Sequence, residues 1–115
     1  MDELLLEIDK LKQDILLVID KDKYNKLCNV NLIKFMLICS TSSTIIDNII
    51  TIINKGYFLD YLYYISNDYK YYFCLYTLDN IINNMSNCDI KNVKNVIDII
   101  NNFISYNILP EYNDC

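Results

Sequence analysis

The chain has no histidine and no arginine among its 115 residues, one glycine (Gly56) and one proline (Pro110). Without histidine, the commonest general base and the commonest metal ligand are missing, and with them every Ser-His or Cys-His nucleophile pair. Without arginine there is no planar fork for bidentate phosphate binding. One glycine cannot build a Gly-rich phosphate loop. Turns must instead come from Asn, Asp and Ser. Ten lysines face fifteen acids, a net charge of −5, so no basic face for nucleic acid is expected. No uncharged stretch reaches the roughly eighteen residues of a membrane span. One of the two longest lies between Lys34 and Asp47.

Cysteine is present but not in a useful pattern. Cys28, Cys39, Cys74, Cys88 and Cys115 are odd in number and contain no C-x-x-C pair, and their spacing lacks the local ligand pair of a zinc site. The amino-terminal MDELLLEIDKLKQD is acidic and amphipathic, unlike a secretory signal. Reduced thiols in a cytoplasmic chain are therefore expected, with Cys28, Cys39 and Cys74 buried as structural thiols. DKDKYNK resembles the start of a calcium loop, but Asn25 and Asn31 stand where glycine and glutamate are needed. Asn84-Met85-Ser86 matches a glycosylation acceptor only by chance in such a chain. The acids are scattered over polar faces. The expectation is a non-enzymatic chain with no cofactor and no metal.

What the chain does have is apolar material, 53% of its residues. A chain of this size buries roughly 65% of its unfolded surface, so residues 1–115 can form a single domain with a real core. Leu4, Ile8, Leu11, Ile15 and Val18 step by four and three and predict a helix over about 2–20. Val30–Cys39 is apolar on nearly every face and reads as a buried helix or strand, with Asn29 or Asn31 as cap. Thr44, with Asp47 three residues on, is expected to cap a helix through IIDNIITIINK, which stops at Gly56. Asp89 is expected to cap a helix over about 90–107, striped by Ile90, Val93, Ile97, Ile100 and Ile104.

Tyr57–Tyr76 is the oddest segment, holding eight of the eleven tyrosines. Ser66-Asn67-Asp68 divides it. A hairpin of Tyr57–Ile65 with Tyr69–Leu78 is one reading, but its turn lacks glycine and bulk falls on both faces. Two helices is the preferred reading, with Phe58, Leu62 and Ile65 on one stripe, Tyr71, Leu75, Leu78, Ile82 and Met85 on another, and Asp68 as cap. The fold class expected is all-α, a compact bundle of about six helices.

Ile, Asn, Lys, Tyr and Phe make up 61 of the 115 residues, and all have AT-rich codons, so codon bias accounts for much of the Tyr and Asn abundance. It does not account for the clustering. Tyr61, Tyr64, Tyr69 and Tyr72 are therefore candidates for a partner-binding patch, since interface hot spots favour Tyr. Leu5, Leu6, Leu16 and Leu17 lie beside the main stripe of the first helix and suggest self-association, as a homodimer.

In style, DNIITIINKGY and NCDIKNVKNVIDIINNFISYNILPEYND resemble poxviral proteins, among which are small Bcl-2-like helical bundles of this size. That resemblance implies amphipathic helices round a buried central one, supplied by VNLIKFMLIC or by the aromatic segment. It also implies a viral modulator of host apoptosis or innate signalling that binds a host or viral protein, for instance through an amphipathic helix. The family's groove motif around Asn-Trp-Gly-Arg is absent. NLIKFMLICS and NVIDIINNFISYNI also resemble the second helix of ankyrin-type repeats, which would make the chain a helical-repeat fragment or adaptor. The echo between its two halves does not match the ankyrin period, and the repeat-opening Thr-Pro-Leu-His is missing.

Overall fold

The structure, a computed structural model, describes residues 2–29, 34 and 48–108. The described residues form six α-helices: α1 (Asp2–Leu16), α2 (Lys21–Cys28), α3 (Ile49–Asn54), α4 (Phe58–Tyr64), α5 (Lys70–Asn83) and α6 (Ile90–Ile108). Short 3-10 turns, Asn67–Tyr69 and Met85–Asn87, lead into and out of α5. The all-α class is the one the periodicities predict, and the aromatic segment is helical rather than a hairpin. The segment Val30–Cys39, Cys39 itself and the Thr44 cap lie outside the described residues, Lys34 excepted.

The fold is organised round α5. Tyr72, Phe73, Cys74 and Leu75 are buried in succession, followed by Thr77, Leu78 and Ile81. Four consecutive buried positions cover every side of a helical turn, which marks a central helix. The aromatic segment, one of the two that could supply a centre, contains this helix; the other, Val30–Cys39, lies outside the described residues. α1 and α6 pack against each other, α1 and α3 each also pack on α5, and α4 lies against both α5 and α6. Thr77, buried on α5, donates its hydroxyl to the Phe73 carbonyl at 2.8 Å, which offsets its desolvation.

The ends of the elements explain several departures from the expected boundaries. The first helix stops at Leu16 rather than near residue 20, and Val18 is exposed instead of continuing the stripe. The reason is Asp20. Its carboxylate accepts from the backbone N–H of Asp22 (2.9 Å) and Lys23 (3.2 Å), capping a helix, α2, where the charge pattern suggested only a break. Cys28 consequently ends α2 on the surface and is not a buried thiol, whereas Cys74 is. In α3 the cap is Asn48, whose side chain accepts from the Thr51 N–H at 2.8 Å. Gly56, at φ 76°, takes the left-handed stop position expected of it. The Gly56 N–H reaches Ile53 O at 3.0 Å and the Tyr57 N–H reaches Ile52 O at 2.9 Å, the paired bonds of a Schellman ending. Any Cβ at this position would strain the backbone.

Asp68 is not the cap of α5. It lies within the 3-10 turn, and Tyr69 precedes the helix with no side-chain cap bond. Lys70 instead donates to the Leu62 carbonyl at 2.6 Å, satisfying the open end of α4. Asp89 does accept from the Lys91 N–H at 3.0 Å at the start of α6. Ile90, expected at the head of the α6 stripe, is exposed, while Val93, Val96, Ile97, Ile100 and Ile104 are buried. Asn54 ties this corner together: its side chain accepts from the Asp89 N–H and donates to Asn87 O.

The α5 stripe is also rotated from the expected one. Ile81 is fully buried (0% exposed) and Ile82 is 37% exposed. Ile81→Ala should cost about 2–5 kcal/mol by urea unfolding, the range for emptying a buried aliphatic site. Ile82→Ala should cost less than about 1 kcal/mol, as surface changes do. The reverse order would mean that α5 presents its other face to the core.

Candidate functional site

Among the described residues, the surface round α4 gathers exposed aromatic and apolar side chains, Tyr57, Leu59, Tyr63 and Tyr64. Phe58 and Leu62, one turn apart, anchor the helix inward, and the Phe58 ring stacks on Phe73 with centroids 5.6 Å apart and planes 7° from parallel. With that face fixed, helical periodicity sends Tyr57, Asp60, Tyr61 and Tyr64 along one flank. These four line a shallow depression of about 310 Å³. Leu59 and Tyr63 stand exposed beside it, Tyr63 at 82%, with the Tyr63 and Tyr64 rings edge to face at 6.4 Å.

The four tyrosines singled out by sequence therefore separate into two pairs. Tyr61 and Tyr64 belong to the α4 depression. Tyr69 and Tyr72 lie across the 3-10 turn, against α2. Tyr72 is only 8% exposed, its hydroxyl accepts from the Asp20 N–H at 3.0 Å, and its ring meets those of Tyr24 and Tyr69 at 6.5 and 5.9 Å. The Lys23 ammonium lies 4.3 Å from the Tyr69 ring centroid and 5.4 Å from that of Tyr72. Tyr72 is thus a core residue and not part of a surface patch. The turn at Asn67–Tyr69 ends one helix and starts another in a new direction, so a single patch of all four does not form. Tyr57 and Asp60 were not among the sequence candidates, although their i, i+3, i+4, i+7 spacing with Tyr61 and Tyr64 is the signal that marks them.

The leucines of α1 separate as well. Leu6 and Leu17 are strongly exposed, at 70% and 83%, and Leu5 less so, but Leu16 is half-buried against the core. Leu16 is thereby removed from the proposed contact surface: with α1 ending there, the chain turns back toward α5 and Ile19 joins the core margin.

A polar knot holds α1 and α2 to the central helix. Asp79 on α5 accepts from the Tyr24 hydroxyl at 2.6 Å with one oxygen and pairs with Lys12 at 2.7 Å with the other. The ion pair is partly solvated, which keeps its contribution at about 0–1 kcal/mol. Burial first, and then the bond to Asp79, push the Tyr24 hydroxyl far above its ordinary value. Full burial likewise raises the thiol of Cys74, and partial desolvation raises those of Cys88 and of the surface Cys28, where a hydrogen bond with Tyr24 opposes it. A raised thiol of this kind holds less thiolate at neutral pH than a free cysteine does. Among the described residues no cluster of three or more acids and cysteines is placed to hold a metal ion, and no helix is long and apolar enough to cross a membrane. No family model, no curated protein and no solved structure matches the chain.

The Tyr24 shift has a sign that can be measured. The unfolded chain releases this proton near pH 10, while the folded chain retains it. Above that pH the unfolded state binds fewer protons, so stability falls as pH rises; below it the contribution is fully present. Tyr24→Phe should make the fall above pH ~10 shallower by about 1.4 kcal/mol per pH unit. Urea unfolding at a series of alkaline pH values reads this directly. An unchanged slope would show that the Tyr24 proton is not held by the fold.

Proposed function

We propose that the chain is a non-enzymatic protein-interaction module that docks its partner on the exposed flank of α4. The observation that carries this reading is the shared depression of Tyr57, Asp60, Tyr61 and Tyr64, flanked by exposed Leu59 and Tyr63. Tyrosine supplies large contact area with few rotors and is enriched at binding hot spots. Phe58 and Leu62, buried beneath, keep the helix in place when a partner arrives. The raised thiols and the absence of histidine favour binding over catalysis as the mode of action.

Within this reading, the narrower role of a viral modulator of host apoptosis or innate signalling rests on the poxvirus-like style of the sequence. A central helix buried on most sides is the kind of centre on which a Bcl-2-like bundle is built. The alternative, a helical-repeat fragment, is less favoured because α1 packs on α6, whereas a repeat array joins each unit only to its neighbours.

The test places a photo-crosslinking phenylalanine analogue at Tyr63 and, as control, at the exposed Asn102 of α6, in cells expressing the chain. A discrete partner should crosslink from position 63 and not from 102. It should disappear when Tyr57 and Tyr61 are changed to Ser in a chain whose helical circular dichroism is retained. Equal labelling from both positions would overturn the assignment of α4 as the docking face.

A further inference from the structure

Apart from α4, we infer that the outer face of α1 joins two copies of the chain as an antiparallel pair, with Leu6 of each copy set against Leu17 of the other.

Leu4, Ile8, Leu11 and Ile15 turn one side of α1 wholly inward. On the opposite side, at steps of four, three and four, stand Leu6, Lys10, Gln13 and Leu17, all exposed. Leu6 is 70% and Leu17 83% exposed, and Leu5, at 39%, borders the line. Leu17 is the first residue past α1, in the turn that the Val18 N–H closes onto Ile15 O at 3.0 Å, so it continues the helical line. The two leucines are about three turns apart, roughly 16 Å along the axis. Lys10 and Gln13 fill the space between them, and the lysine stem can cover apolar surface while its ammonium stays at the edge.

The order of these residues selects a second copy as the occupant. A two-fold axis through the middle of the face reverses the helix direction. Leu6 then meets Leu17 and Leu17 meets Leu6, a closed and self-complementary contact. The same reversal brings Lys10 of each copy beside Asp14 of the other, and Asp9 beside the neutral Gln13. Asp14 sits half-buried at the flank of the face, and neither it nor Lys10 forms an ion pair within its own chain among the described residues. A parallel pair would instead set Lys10 against Lys10 and Asp14 against Asp14. That repulsion would add to the one between two chains of charge −5. An anionic membrane surface fits the face less well, because Glu3 and Asp9 are exposed beside Leu6. One short helix face falls below the roughly 1,200 Å² of stable interfaces, so the dimer exchanges with monomer and depends on concentration.

Sedimentation of the full chain over a concentration series should show a monomer–dimer equilibrium. Leu6→Gln together with Leu17→Gln should weaken it at least about tenfold, the scale of burying one leucine. Tyr63→Ser on α4 should leave it unchanged. Lys10→Glu and Asp14→Lys should each abolish self-association, and an equimolar mixture of the two variants should form a heterodimer, because each copy then offers the charge that the other lacks. Mixing does not repair a folding defect, so this rescue reads the contact itself. Orientation is read from a photo-crosslinking phenylalanine analogue at position 6 of one copy, mixed with a second copy labelled with heavy nitrogen. The mixed-isotope crosslink should join position 6 to the peptide that contains Leu17. Monomer at every concentration would overturn the inference. So would a dimer indifferent to the two leucine changes, a dimer lost in Tyr63→Ser, or crosslinks from position 6 to position 6. A mixture of the charge variants that stays monomeric, each with its helical circular dichroism retained, would overturn it too. None of these results bears on the crosslink from position 63, which tests the docking face of α4 separately.

Discussion

The burial of α5 on nearly every side is the constraint from which the rest of the arrangement follows. A helix with Tyr72, Phe73, Cys74 and Leu75 all inside needs neighbours all round it. α1, α3 and α4 each supply a wall, and α6 closes the bundle against α1, α3 and α4. Phe73, fully buried, is the point where α4 is fastened, through Phe58. Because dense packing fixes the rotation of each wall, the outward flank of α4 is decided by what its inward flank must reach.

The polar groups at the margin of α5 do a different task. Tyr72 offers its hydroxyl to the Asp20 N–H, and Asp79 takes the Tyr24 hydroxyl and the Lys12 ammonium. Net energies for such bonds are about 0.5–1.5 kcal/mol each, small beside the burial of the apolar stripe of α1. Their effect is on geometry: they set the corner at which α1 gives way to α2, and so the place where Lys23 meets the tyrosine pair. Tyrosine is used in two ways within a few residues. At Tyr72 the ring is buried and the hydroxyl is a structural acceptor; at Tyr57 and Tyr64 the rings remain about half exposed to water.

Much of this is readable from side-chain spacing alone. Leu4, Ile8, Leu11 and Ile15 declare α1, and Val93, Ile97, Ile100 and Ile104 declare α6, because a repeat of three and four residues has one physical meaning in an amphipathic helix. Gly56 declares the end of α3, since it is the only residue in the chain that takes the left-handed conformation without cost. Phe58, Leu62 and Ile65 fall on one stripe in the sequence and point inward in the fold. The absence of histidine and arginine narrows the chemistry at the level of composition, because no arrangement in space can supply a side chain the chain does not carry.

Tertiary structure decided what periodicity left degenerate. In a helix as apolar as α5, several stripes fit the sequence equally well, and only contact with its neighbours chose Ile81 over Ile82. Asp20 looks like part of a charged break because a cap is recognised by the helix it begins, and α2, with two buried residues, Tyr24 and Leu27, has too little stripe to announce itself. The tyrosines are equivalent in sequence. A single 3-10 turn sends Tyr69 and Tyr72 toward α2 and leaves Tyr61 and Tyr64 beside Tyr57 and Asp60. The order of residue types along the chain determined which segments became helices, because that rests on local spacing. Which tyrosines became core and which became surface was determined by the direction of α4 and α5 in space, which depends on packing between elements distant in sequence.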